Sequence, residues 1–267
     1  MPRDTGDRIV LSDAARELHS EARLAEPWQG DPIDLTIFVS CYNEQDFVTD
    51  TLDAIAEAMS RFDYQYEVLI IDDVSKDNSA AVVERYIAEH PDRRIILKKN
   101  GVNRGLAQNY VDGAFLGRGK YYRLICGDNA EPVDTIATVM EKLGQADIIL
   151  PYYTSFEGKS LFRRTLSKAY SGIINVITGR SIKYYNGLAL PLRYNVMRWH
   201  PTTRGFGFQA EIMTMLLDDG ATCIEVPAVT VELKGGASRA LDWRNVVSVS
   251  HSVLTIAERR LSNWIYR

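Results

Sequence analysis

From residue 35 to residue 150 the chain repeats one unit, a short apolar run followed by an amphipathic segment, and this repeat restricts the fold more than any other feature. The first run, Leu35-Thr36-Ile37-Phe38-Val39-Ser40, is mostly β-branched and apolar without alternation, the pattern of a strand covered on both faces. The spacing predicts a helix over about 44–60, a strand at 66–71, a helix over 79–89 and a strand at 94–99. A helix over 106–116, a strand at 121–126, a helix over 132–143 and a strand at 147–150 follow. Parallel neighbours need a crossover connection, so a strand-helix alternation of this kind specifies an α/β fold with a mostly parallel sheet between helices. Ligands of such folds bind at the carboxyl ends of the strands.

The flanks read differently. Residues 1–33 form an N-terminal extension in which Ile9, Leu11, Ala14, Ala15 and Leu18 keep a rough helical spacing, followed by a linker with Pro27, Gly30 and Pro32. The body spans 34–240, with halves 34–131 and 132–240. Its second half holds a basic amphipathic stretch over 160–178, short strands near 188–192 and 222–226, and a helix over 209–217. Residues 241–267 interleave Trp243, Val247, Leu254, Leu261 and Trp264 with Arg244, Arg259 and Arg260, which fits either a helix at a membrane surface or one packed on the body or on a second subunit.

Thirty-one Lys and Arg against thirty-five Asp and Glu give a formal charge of −4, which excludes a global field for nucleic acid. Cys41, Cys126 and Cys223 are odd in number and far apart, forming neither a disulfide framework nor a zinc cluster, so a reducing cytoplasm is expected. The start has no apolar signal core, and no window reaches the 18 apolar residues of a membrane span. Contact with the inner face of a membrane stays open.

Three strand ends are polar: Ser40-Cys41-Tyr42-Asn43-Glu44, Asp72-Asp73-Val74-Ser75 and Gly127-Asp128-Asn129. Each has two readings, a turn or helix cap, or a ligand contact. Two adjacent carboxylates directly after the run 68–71 repel each other unless donors such as a ribose, a base or a metal meet them.

In order and spacing, Tyr42-Asn43-Glu44, Asp72-Asp73-Val74-Ser75 and Asn103-Arg104-Gly105-Leu106-Ala107 resemble the family 2 glycosyltransferases over residues 35 to about 130. The resemblance implies the nucleotide-diphospho-sugar transferase (GT-A type) fold. It also implies a nucleotide site made by Ser40, Tyr42, Asn43, Glu44, Asp72, Asp73, Arg104 and Gly127, with Asp72 and Asp73 accepting hydrogen bonds from base and ribose and Arg104 meeting a phosphate. The family places Asp-x-Asp at the next strand end, where Mg²⁺ or Mn²⁺ bridges the diphosphate. Here Cys126-Gly127-Asp128 stands in that register, leaving Asp128 with Asn129 and Glu131 as candidate ligands. Three readings follow: Asp128 holds the metal with these neighbours, basic side chains replace it, or the site does not catalyse.

In the second half, Phe162 to Lys168, Ile182 to Gly187, Gly205 to Glu211, Glu225-Val226-Pro227 and Gly235 to Arg239 are similar to the polyprenyl-phosphate branch of that family, the dolichyl-phosphate mannosyltransferase-like enzymes. The implied acceptor is a lipid phosphate, an anion that needs cations rather than a base. Arg163, Arg164, Lys168 and Arg239 are the candidates, with a solvated helix face as the bland alternative for the first three. That branch often carries Asp before Ser-Gly where this chain has Tyr184-Tyr185-Asn186-Gly187. Catalytic roles fall to Asp128, Glu211, Arg163 and Arg164. The alternatives are transfer to a glycan or other lipid hydroxyl, with Glu211 or Glu131 as base, and a nucleotide-binding module without turnover.

Overall fold

The computed structural model describes residues 8–13, 32–157, 161–200, 207–231 and 243–266. In chain order the strands are β1 (Arg8–Leu11), β2 (Leu35–Cys41), β3 (Tyr66–Asp72), β4 (Ile95–Lys99), β5 (Tyr121–Cys126), β6 (Ile148–Glu157), β7 (Leu190–Pro191) and β8 (Cys223–Val231). The helices are α1 (Val48–Met59), α2 (Ser79–Glu89), α3 (Leu106–Leu116), α4 (Val133–Met140), α5 (Leu161–Thr178), α6 (Arg193–Met197), α7 (Phe208–Asp218) and α8 (Trp243–Ile265).

Strands β2 to β5 are parallel and lie in the order β4-β3-β2-β5, with β1 antiparallel on the β4 edge. A second sheet, β7-β6-β8, joins the first through a single antiparallel bridge between Tyr121 and Leu192. Because β2 alternates its side chains between the faces, Leu35, Ile37 and Val39 pack with Leu52 and Ile55 of α1, Val83 of α2 and Ile136 of α4. Phe38, on the other face, packs with Tyr110 of α3, Ile212 and Leu216 of α7 and Ile256 of α8. Each such burial contributes roughly 1.5–3 kcal/mol. Helix α3 approaches closely enough that a Cβ on Gly113 would lie 2.3 Å from the Tyr122 hydroxyl, which itself donates to the Tyr110 carbonyl.

The structure corrects the reading of the N-terminal extension. Residues 8–11 are a strand, not a helix, and they belong to the main sheet, with Ile9 opposite Lys98 and Leu11 opposite Ile96. Ser12 fixes the end by exchanging hydrogen bonds with Ile95. Ala14, Ala15 and Leu18 lie outside the described residues. Two strands run further than expected: β6 continues to Glu157 and β8 to Val231, held in parallel register by each other. The C-terminal helix packs on the body, with Ser252 and Ile256 fully buried against α5 and α7. Among the described residues no helix is long and apolar enough to cross a membrane.

Candidate functional site

The carboxyl ends of β2, β3 and β5 lie side by side, since Cys41 is in register with Asp72 and Ser40 with Cys126. Each strand end is followed by a residue in the left-handed region: Asn43 at φ 58°, Val74 at 65° and Asn129 at 53°. Asn adopts this conformation readily, but a β-branched Val does so only at a cost of about 1–2 kcal/mol. Strained backbone of this kind persists where the surroundings over-determine it, as at ligand sites. Val74→Gly therefore raises stability by about 1 kcal/mol, a shift of about 2–4 °C in thermal unfolding. A Tm equal to or below that of the parent protein contradicts the strain.

The loops after β2 and β3 are stitched together. Asn43 N donates to Ser75 Oγ at 3.0 Å, Lys76 N to Asn43 Oδ1 at 2.7 Å and Glu44 N to Ser79 Oγ at 2.8 Å. Asp77 completes the seam by accepting from Gln45 N at 3.3 Å and Ser79 N at 3.0 Å. Burial, then the Asp72 charge, pushes the Cys41 thiol up to about 12, and burial, then the Asp128 and Glu131 charges, pushes the Cys126 thiol up as well, with Glu44 adding less to each.

The two adjacent carboxylates have different positions. Asp73, expected to line the nucleotide pocket, accepts from Asn100 Nδ2, Arg104 N and Gly105 N, each at 2.8 Å, while its carbonyl accepts from Asn103 Nδ2 at 2.9 Å. Its carboxylate is thereby committed to the Asn103-Arg104-Gly105 turn and the start of α3. Gly105 takes φ 79° there, a left-handed value that favours glycine. Asp72 is 5% exposed, and Ser75 N reaches its Oδ2 at 3.3 Å, but among the described residues its buried Oδ1 has no hydrogen-bond partner. A buried carboxylate oxygen without a donor is an acceptor waiting for one.

Arg104, expected to meet a phosphate, is ion-paired with Asp112 of α3 at 3.1 Å. Gly127 is required by close approach, since a Cβ would lie 2.8 Å from the Ser40 carbonyl that its own N–H meets at 3.0 Å. Beyond it, Asp128 is half-buried and accepts from Ala130 N at 3.3 Å, while Asn129 N donates to Thr51 Oγ1 at 3.0 Å. Tyr42 is half-buried in the same group of loops.

Glu131 is a correction. Expected as a metal ligand, or as a base, it is buried and paired with the fully buried Arg123, Nη2 to Oε2 at 2.7 Å, and it accepts from Tyr153 OH at 3.2 Å. Burial pushes its carboxyl above the ordinary range, and Arg123 beside it offsets part of that rise. With both oxygens held by protein donors, Glu131 is a structural partner of Arg123. Among the described residues no group of three His, Cys, Asp or Glu could hold a metal ion. Asp128 is then the carboxylate left for a cation, and Mg²⁺ or Mn²⁺ on a diphosphate commonly takes only one or two carboxylates, with phosphate oxygens and water filling the rest. That donor set fits.

Glu211, expected at the site, is 1% exposed in the first turn of α7, its main-chain carbonyl accepting from Arg259 of α8 at 3.3 Å and its charge acting on Tyr170 of α5. Lys168 is exposed on α5. The side chains of Arg163 and Arg164, and all of Arg239, lie outside the described residues. Asn186 and Gly187 are joined to α7 through Gln209, whose amide, correctly oriented, donates to both carbonyls at 3.0 Å.

The family model described as Glycosyl transferase family 2 matches residues 36–211. The chain is 32% identical over 153 residues to a dolichyl-phosphate beta-glucosyltransferase of Dictyostelium discoideum, covering 53% of this chain and 46% of that one. It is 26% identical over 164 residues to an undecaprenyl-phosphate 4-deoxy-4-formamido-L-arabinose transferase of Edwardsiella ictaluri (strain 93-146), covering 61% and 50%. It thus spans about half the length of these curated relatives. Among solved structures it is similar to the mannosyltransferase PcManGT from Pyrobaculum calidifontis in complex with GDP-Man and Mn²⁺, at TM-score 0.60 and 20% identity, covering 94% of this chain and 82% of that one. It also resembles glucosyl-3-phosphoglycerate synthase from Mycobacterium tuberculosis in complex with phosphoglyceric acid, at TM-score 0.64 and 12% identity, covering 85% and 80%.

Proposed function

The chain belongs to glycosyl transferase family 2 and has the GT-A type fold, and from that premise we propose that it moves a sugar, with inversion, from a UDP- or GDP-sugar to a polyprenyl phosphate. The observation that carries this reading is the pair of weakly held carboxylates at the strand ends, Asp72 with an Oδ1 that has no partner among the described residues and the half-buried Asp128. Asp72 accepts an N–H of the base or a ribose hydroxyl, with Tyr42, Asn43 and Glu44 forming the adjoining wall. Asp73 holds the Asn103-Arg104-Gly105 turn in place. Asp128, with Asn129, would hold Mg²⁺ or Mn²⁺, which when bound offsets the charge gathering on the departing diphosphate.

In the transfer an acceptor phosphate oxygen forms a bond to the anomeric carbon as the bond from that carbon to the β-phosphate oxygen breaks, and the nucleoside diphosphate leaves. The attacking oxygen is already anionic, so no proton has to be removed. The pairing of Glu131 with Arg123 supports this, since it occupies one candidate base. Arg163, Arg164, Lys168 and Arg239 are the cations proposed for the acceptor phosphate. The outward face of α5 carries exposed Leu166, Ala169, Gly172, Ile173 and Val176 without an acidic residue, a surface suited to the inner face of a membrane. The relatives named for dolichyl and undecaprenyl phosphate transfer support the acceptor class.

The test is transfer of radiolabelled sugar from UDP- and GDP-sugars to a short polyprenyl phosphate in detergent, with Mn²⁺ or EDTA. Lipid-linked product with one donor, lowered at least tenfold by charge reversal at Arg163, Arg164 and Lys168, is the expected result. Full activity after that reversal removes the acceptor site. Transfer only to hydroxyl acceptors replaces the reading, and donor binding without turnover identifies a binding module.

A further inference from the structure

Helix α8 is held to the body by one side only. Arg259 and Arg260 reach inward, Arg260 to Asp218 and to the Thr178 carbonyl, each at 3.0 Å, and Arg259 to Thr214 Oγ1 at 2.5 Å. On the opposite side Val247, His251, Leu254, Glu258, Leu261 and Ile265 are all exposed. Their spacings of four, three, four, three and four residues form the seam that one helix offers to another. Leu254, at its centre, is 69% exposed. A stripe of this length left to solvent marks a contact surface.

The charges choose the occupant. A helix lying on anionic lipid flanks its apolar stripe with cations. Among the described side chains this face presents no Lys or Arg, carries Glu258 near its centre, and has its arginines turned to Asp218. The face is also self-complementary. When two copies run antiparallel about an axis beside Leu254, Val247 of one meets Leu261 of the other. His251 then meets Glu258 to within about one residue of helix rise, roughly 1.5 Å. Parallel pairing would instead set Glu258 against Glu258 and His251 against His251. A two-fold contact in which residue i meets j and j meets i is the usual geometry of homodimers.

We propose that the outward face of α8 is the interface between two copies of this chain, paired antiparallel about Leu254. The proposal is independent of the donor and acceptor, and its test needs neither. Sedimentation and light scattering of the full chain give twice the chain mass at about 10 µM, and Leu254→Asp gives a single chain mass with at least a 100-fold weaker association. Because Leu254 is exposed in the single chain, the variant keeps the parent's circular dichroism at 25 °C, and its Tm equals that of the parent protein diluted until it is a single chain. In oxidising buffer Leu254→Cys cross-links to its copy above the parent protein's background, and a mixture of Val247→Cys and Leu261→Cys cross-links more than either alone. A parent protein of single chain mass at 50 µM overturns the proposal, as does a dimer indifferent to Leu254→Asp. Self-linking of Val247→Cys above the mixture overturns the antiparallel register. Flotation with anionic vesicles that Leu254→Asp abolishes, while the mass stays that of one chain, identifies the face as a lipid contact instead.

Discussion

Glu131→Gln lowers the melting temperature by roughly 10 °C. The substitution leaves the Arg123 guanidinium, which has no exposed side-chain surface, as an uncompensated charge inside the protein. Breaking a buried pair in this way costs about 3–5 kcal/mol, and in a chain of this size each kcal/mol moves Tm by about 2–4 °C. Arg123→Met alone strands the carboxylate and costs a similar amount. The double variant Arg123→Met with Glu131→Leu removes both charges together and recovers at least half of the loss, because apolar replacement of a whole buried pair is often neutral or better. Thermal unfolding followed by circular dichroism reads all four proteins. A Glu131→Gln variant with unchanged Tm but lost metal dependence would return Glu131 to the ligand role that its place after Asp128 suggests.

Why that role was legible, and the pairing was not, shows where sequence reasoning stops. Glu131 follows Asp128 by three residues, so a local reading makes the two a site. Arg123, eight residues earlier in the middle of an otherwise apolar strand, is the signal that points elsewhere. A lone charge between Tyr122 and Leu124 cannot be buried without a partner, and the following loop offers two acids, Asp128 and Glu131, of which the fold brings Glu131 to it. The same limit applies to Asp72 and Asp73. Neighbours along extended chain point to opposite sides, so only the fold decides which carboxylate holds the turn before α3 and which keeps an oxygen without a partner among the described residues. The motif order did contain a clue, since Asp73 holds the Asn103-Arg104-Gly105 turn that follows the acidic pair.

Regular elements with strong periodicity were legible to the residue: α2 at 79–89, α3 at 106–116 and β5 at 121–126. Strand β1 was not, because four residues carry no distinguishable period. Ile9 and Leu11 suit a helix as well as a strand until the open edge of β4 supplies hydrogen-bond partners. The attachment of α8 was hidden for a related reason. Its arginines read as a membrane-facing charge pattern until Asp218, buried at the end of α7, gathers Arg180, Arg259 and Arg260 around one carboxylate.

Asp128→Ala abolishes the metal-dependent part of nucleotide binding while leaving the metal-independent part in place. In the proposed site Asp72 and the loops after β2 and β3 take the nucleoside, and Asp128 takes the cation. Its carboxylate receives one weak backbone hydrogen bond, from Ala130 at 3.3 Å, so its removal costs the fold little. In the parent protein, UDP or GDP at about 100 times its dissociation constant stabilises by roughly 2.7 kcal/mol, or about 5–10 °C in Tm, with Mn²⁺ present. In Asp128→Ala the shift with Mn²⁺ falls to the value measured in EDTA, and sugar transfer falls at least 100-fold. Asp72→Asn shows the converse pattern, a loss of nucleotide binding with Mn²⁺ and with EDTA alike, because the donor that Oδ1 awaits lies on the nucleoside and not on the cation. If Mn²⁺ enhances binding equally in the parent protein and in Asp128→Ala, the cation is held by other groups. If no nucleotide shifts the parent protein under any condition, the strand ends do not form a donor site, and Asp72 Oδ1 needs another explanation. The two variants together separate the cation from the base, which neither does alone.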